Sequence, residues 1–111
     1  EICPLAKEYP IADGPRPVLF AQDSYGLYDE LLNQEIVEAE STVGINRQQA
    51  GVTQFGSEAS IAMRFGHVPR GAGLSFPTQN THGYEIAHLD AIANCLTVLT
   101  TYLNDSIGPT G

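Results

Sequence analysis

The chain has 111 residues, 42% of them hydrophobic, with eleven glycines, seven prolines, two cysteines and no tryptophan, a composition suited to one ordinary globular domain rather than a disordered or fibrous chain. Five basic side chains stand against thirteen acidic ones, a net charge of -8, which repels phosphate backbones and anionic lipid and leaves no basic stripe. No apolar run approaches the roughly 20 residues of a membrane helix, so neither nucleic acid nor membrane is expected as a partner.

In chain order, Glu1 to Leu5 reads as the tail of a strand running into a stiff connection set by Pro4, Pro10, Gly14, Pro15 and Pro17. The start on Glu1, without Met, reads as though the chain were cut from a longer polypeptide. Pro17 to Gln22 is a short apolar run, bounded by proline and by Asp23-Ser24, and predicts a buried strand. Leu27, Leu31, Leu32, Ile36, Ala39 and Val43 then recur at helical spacing up to Gly44. Glu30, Asn33, Gln34, Glu38 and Glu40 fall on a flank expected to be solvated. Ile45 to Gln54 is taken as a second strand.

Ser57 is placed as the N-cap of a short helix whose apolar side is Ile61, Ala62 and Phe65 and whose end is Gly66. Gly71 to Phe76 reads as a small-residue strand, its glycines implying that another backbone packs close against it. The polar loop Pro77 to Glu85 follows and carries His82. From Leu89 the repeat Leu89, Ile92, Leu96, Leu99, Leu103 predicts a long amphipathic helix fraying at Asn104-Asp105, with Asn94, Thr97, Thr100 and Thr101 on its uncharged other face. Cys95 is expected to be a small buried hydrophobe on that helix. With only two cysteines, far apart, no disulfide framework is expected, and a reducing cytoplasm suits the chain.

This alternation of strands and helices predicts an α/β fold, a mostly parallel sheet flanked by helices, with function at the carboxyl ends of the strands. Three loops qualify: the one after Phe20, the Gly56-Ser57-Glu58 turn and the loop carrying His82. His67 and His88 are read as helix-end residues. Glu58 is read as a helix-dipole partner or a substrate contact, and Arg70 as a surface cation that could pair with it.

The succession Asp13-Gly14-Pro15, Gly56-Ser57-Glu58-Ala59, Gly66, Val68-Pro69 and Pro77-Thr78-Gln79-Asn80-Thr81-His82 with Glu85 and Leu89 resembles the C-terminal part of the co-catalytic zinc aminopeptidases, the glutamyl, tetrahedral and deblocking enzymes. The resemblance implies that residues 1–111 are the C-terminal part of a single metallopeptidase catalytic domain, about the last third of such an enzyme. It implies His82 and Glu1 as metal ligands, Glu58, Gly56 and Gly83 as substrate-binding residues, and two divalent metals, zinc first, with cobalt or manganese as alternatives. Such a pair activates water for hydrolysis of peptide or amide bonds. Glu85 is placed to orient the other nitrogen of His82. No catalytic residue is expected within the chain, whose general base and remaining ligands would lie upstream, so the segment alone should be inactive. A homo-oligomer is implied too.

Two departures bear on substrate choice: Ser57-Glu58 stands where the family usually has Thr-Asp, and Gly83 where it usually has Ser. Phe65 to Arg70 and Asn80 to Glu85 resemble a subgroup linked to an acetylated dipeptide-amide osmolyte. The competing readings of the same loops are a metal-free module for a small polar ligand, or a subunit-interaction domain using the glycine-rich strand and the Thr face of the last helix.

Overall fold

The computed structural model describes residues 2–5, 11–52, 56–79 and 85–107. Six strands, β1 (Ile2–Pro4), β2 (Val18–Asp23), β3 (Gly26–Leu27), β4 (Gln48–Gly51), β5 (Leu74–Gln79) and β6 (Ile86–Ala87), form one sheet. Three helices, α1 (Glu30–Val43), α2 (Glu58–Arg64) and α3 (Leu89–Ile107), pack on it. None is long and apolar enough to cross a membrane.

Period-two alternation in β2 builds a core on each face of the sheet. Val18 and Phe20 point to one side, where they pack with Cys3, Tyr28, Ala50 and Val52 and with Met63 of α2. Leu19 points to the other, against Ile36 of α1 and Val98 of α3. Helices therefore flank the sheet as the alternating pattern implied.

The sheet is mixed rather than mostly parallel. β1 runs parallel to β5 and β4 parallel to β2, but the two halves join through an antiparallel contact, Val18 with Ser75 and Leu19 with Leu74. β3 folds back on β2 through a tight turn in which Gly26 has φ +143. β6 folds back on β5, Thr78 facing Ala87 and Gln79 facing Ile86. Both are two-residue strands, below the length at which alternation announces a strand, and neither stands out in the sequence.

Local chemistry sets the helix ends. Asp29 caps α1, its carboxylate accepting from the Leu32 backbone N–H at 2.7 Å. Gly44, at φ 71, closes α1 in the left-handed region. Ser57 caps α2 in a reciprocal box with Ser60.

Two faces differ from the sequence reading. The side of α1 that meets the protein carries Asn33, Ile36, Ala39 and Glu40, so Asn33 and Glu40 are buried rather than solvated, while Leu27 and Leu31 are exposed. Asn33 compensates part of its burial by donating Nδ2–H to the Phe20 carbonyl at 3.0 Å. In α3 the leucine stripe is exposed, and Ala91 and Val98 form the buried side. Cys95 is half-buried; its thiol donates to the Ser75 carbonyl at 3.1 Å and burial pushes it up to about 11.

Candidate functional site

β2 and β5 start together at their antiparallel joint and run apart, so their carboxyl ends lie at opposite ends of the molecule. Asp23 is four residues past Leu19 and Gln79 five past Leu74, which at ~3.3 Å per residue places these ends up to roughly 30 Å apart. The loop after Phe20 and the Gly56-Ser57-Glu58 turn therefore meet at the end of β2, and the end of β5 at Gln79 lies away from both.

At the β2 end, Asp23 is the hub. Its Oδ2 accepts from the Tyr28 hydroxyl at 2.5 Å and the Ser57 backbone N–H at 3.1 Å, and its Oδ1 from the Tyr25 N–H at 2.9 Å. The Tyr28 hydroxyl also lies 2.6 Å from Ser57 Oγ. Burial pushes the Asp23 carboxyl up, but hydrogen bonds from Ser60, Tyr28, Tyr25 and Ser57 outweigh it and hold the group below its ordinary value. Burial and the adjacent Asp23 push the Tyr28 hydroxyl up to about 12. Two neutral donors and two backbone amides on one carboxylate make a structural clamp between the β2 turn and the start of α2.

Gly56 lies against the Tyr25 ring, in contact so close that a Cβ would overlap the ring carbons. Glu58 is exposed in the first turn of α2, where a carboxylate complements the helix dipole. Arg70 pairs with Glu35 at 3.7 Å rather than with Glu58.

At the β5 end, Asp13 ties three elements together. Its Oδ2 accepts from Gln79 Nε2 at 3.2 Å, its Oδ1 accepts from the Gly14 N–H at 2.9 Å, and His88 Nε2, at the start of α3, is 3.7 Å from Oδ1. Asn94 Nδ2 donates to the Pro15 carbonyl at 2.9 Å, fixing the same Asp13-Gly14-Pro15 turn on α3. Asp13 drew notice in the sequence only as part of a family motif, and His88 only as a helix-end residue; the contact across 75 positions left no signal.

Glu1, His82 and Gly83 lie outside the described residues. Their described neighbours are Ile2, which faces Phe76 at the start of the β1–β5 ladder, and Gln79, which closes β5 at the other end. Among the described residues no group of three or more His, Cys, Asp or Glu could hold a metal ion.

A family model described as M42 glutamyl aminopeptidase matches residues 4–98. The PhTET1-12s dodecamer matches with a TM-score of 0.70 at 27% identity, over 89% of this chain and 30% of that one. A Pyrococcus horikoshii TET1 peptidase, described as assembling into a tetrahedron or a large octahedral shell, matches at 0.69 and 25%, over 85% and 27%. A TET aminopeptidase from a marine sediment Thaumarchaeota archaeon shares the fold, at 0.73 and 16%, over 80% and 25%. The chain thus spans less than a third of the length of these solved structures. No curated protein matches it. With the family model covering most of its length, the chain belongs to the M42 glutamyl aminopeptidase family.

Proposed function

We propose that this chain is the C-terminal part of a single catalytic domain in a metal-dependent aminopeptidase, a hydrolase releasing residues from the amino end of peptides. The observation that carries this reading is the family match over residues 4–98, on a fold shared with TET aminopeptidases. Activity belongs to a longer chain, because this one spans only 25–30% of the solved structures it matches.

The His82 imidazole and the Glu1 carboxylate are the donors this segment offers to two divalent metals, zinc first among them. A bound pair of such ions polarises a scissile carbonyl and lowers the pKa of water. The protein's own part is placement: Asp13 joins the end of β5 to the start of α3 through Gln79 and His88, which precede and follow position 82 in the sequence. Gly83 would let a substrate backbone approach beside the imidazole.

Gly56 and Glu58 are proposed as substrate contacts at the β2 end. Given the separation of the two ends, they would touch a distant part of a peptide, or a substrate held across a subunit contact. Relatives described as dodecamers and tetrahedra support a homo-oligomer. A chain with only two cysteines, Cys3 and Cys95, far apart in sequence, is suited to a reducing cytoplasm. The stretches Phe65 to Arg70 and Asn80 to Glu85 support a substrate with a terminal amide, as in the osmolyte-linked subgroup.

The test is release of amino-terminal residues from short peptides and dipeptide amides by the longest natural chain carrying this sequence, before and after chelation. Metal-dependent release supports the reading, and hydrolysis that survives complete metal removal refutes it. Glu58→Gln should raise KM severalfold and leave metal content unchanged; an unchanged KM removes Glu58 from the substrate site.

A further inference from the structure

Helix α3 repeats large apolar side chains at intervals of three, four, three and four residues: Leu89, Ile92, Leu96, Leu99 and Leu103. This is the spacing at which one helix seats against another. Yet the five are 82, 42, 64, 47 and 45% exposed. What holds α3 to the rest of the chain is a different stripe: Val98 in the core, Cys95 bonded to the Ser75 carbonyl, and Tyr102 donating to Glu35 of α1. At 100° per residue the two stripes are centred roughly 110° apart around the helix. Helix α3 is thus apolar on two sides, and only one is covered among the described residues.

A helix face meant for water carries charges. Here the sequence from Ala91 to Asn104 has none, on a chain whose net charge is -8. A continuous apolar seam in that setting marks a surface that is buried in the working protein. A second opening accompanies it. β1 stands at the end of the strand order, paired with β5 on one edge and with no strand on the other among the described residues. An open strand edge and an open helix seam together are what remains when a layered α/β domain lacks some of its elements. The chain spans only 25–30% of the solved structures it matches, so the relatives contain ample chain to supply them.

We propose that the α3 seam docks an amphipathic helix from the remaining part of the same catalytic chain. The proposal rests on reading this segment as one portion of a longer peptidase. A second copy of α3 is the alternative occupant, and the oligomeric state of the 111-residue chain decides against it or for it.

The test is thermal unfolding and light scattering of Leu96→Glu and Thr97→Glu in the longest natural chain that carries this sequence, with the 111-residue chain alongside. In the longer chain Leu96→Glu should lower Tm by about 5 °C or more and Thr97→Glu by no more than about 2 °C. In the 111-residue chain Leu96→Glu should leave Tm unchanged and reduce binding of a hydrophobic dye severalfold. If Leu96→Glu gives no soluble longer chain, Leu96→Ala must still lower Tm more than Thr97→Ala. Equal tolerance of the position 96 and 97 variants in the longer chain overturns the proposal. So does a natural chain no longer than this one, or a dimer of the 111-residue chain that Leu96→Glu turns into a monomer. None of the position 96 and 97 readouts involves metal or hydrolysis, so failure of the docking face is distinguishable from failure of the peptidase reading, whereas a natural chain no longer than this one would overturn both.

Discussion

Asp23 and Glu40 are both almost fully buried carboxylates, and their surroundings push them in opposite directions. Asp23 accepts from Tyr28, Tyr25 and Ser57 and is held below its ordinary value despite burial. Its contribution to stability is present above its unfolded pKa and is lost as pH falls through the lower folded one. Asp23→Ala leaves the Tyr28 hydroxyl without its acceptor and the start of α2 without its tether, and should cost about 2–4 kcal/mol in urea unfolding at pH 7. A loss below about 1 kcal/mol would show that the clamp is not structural.

Glu40 is 1% exposed and, among the described residues, neither carboxylate oxygen accepts a hydrogen bond. Burial pushes it up to about 7, and the Arg47 guanidinium, 3.8 Å away, offsets this only in part. The folded chain therefore holds a proton that the unfolded chain, with a carboxyl near 4.5, releases. Stability should fall as pH rises from about 4.5 through about 7. Glu40→Gln should remove this penalty, gaining about 1–3 kcal/mol at pH 8 and little at pH 4. Equal changes at both pH values would contradict the assignment. That Glu40 is buried was not legible in the sequence, where it falls on an acidic flank. Its burial follows from how α1 turns toward α3, which no local pattern encodes.

Elements whose limits are set by local chemistry were the most legible. Asp23-Ser24 bounds β2, Ser57 starts α2, and Gly44 ends α1, because a cap or a left-handed turn needs only neighbouring residues. The direction in which β2 and β5 pair was hidden, since it depends on how the intervening chain crosses the sheet. The face of α3 was misread for a more telling reason. Its leucine repeat has the spacing of a packing face, but among the described residues Ala91 and Val98 form the buried side and the repeat is exposed.

The glycines before β5 imply the close approach of another backbone, whereas the space a side chain would need at Gly73 is filled by aromatic side chains. A Cβ on Gly73 would meet the Phe20 ring at 2.6 Å and Tyr28 at 3.3 Å, in the core against which α2 packs. Phe20 also donates its N–H to the Gly73 carbonyl at 2.9 Å, so the backbone cannot move aside without losing that bond. Gly73→Ala should destabilise by about 1–3 kcal/mol in chemical unfolding. A neutral result would show that Phe20 repacks freely.

At the scale of the molecule, the antiparallel joint between Leu19 and Leu74 divides the chain into two working ends. One is a closed hydrogen-bonded clamp around Asp23. The other gathers Asp13, Gln79 and His88 at the end of β5. The family was legible from short motifs because those motifs mark turns and helix starts; the spatial separation of Glu58 from the end of β5 was not. The central claim is that the imidazole at position 82 holds a divalent metal in the complete protein. It is tested most directly by metal content per chain in the longest natural form of the protein, after dialysis, for wild type, His82→Ala and His88→Ala. The account predicts that His82→Ala loses about one metal per chain or binds it at least tenfold more weakly, with His88→Ala unchanged. Full metal content in His82→Ala would contradict it.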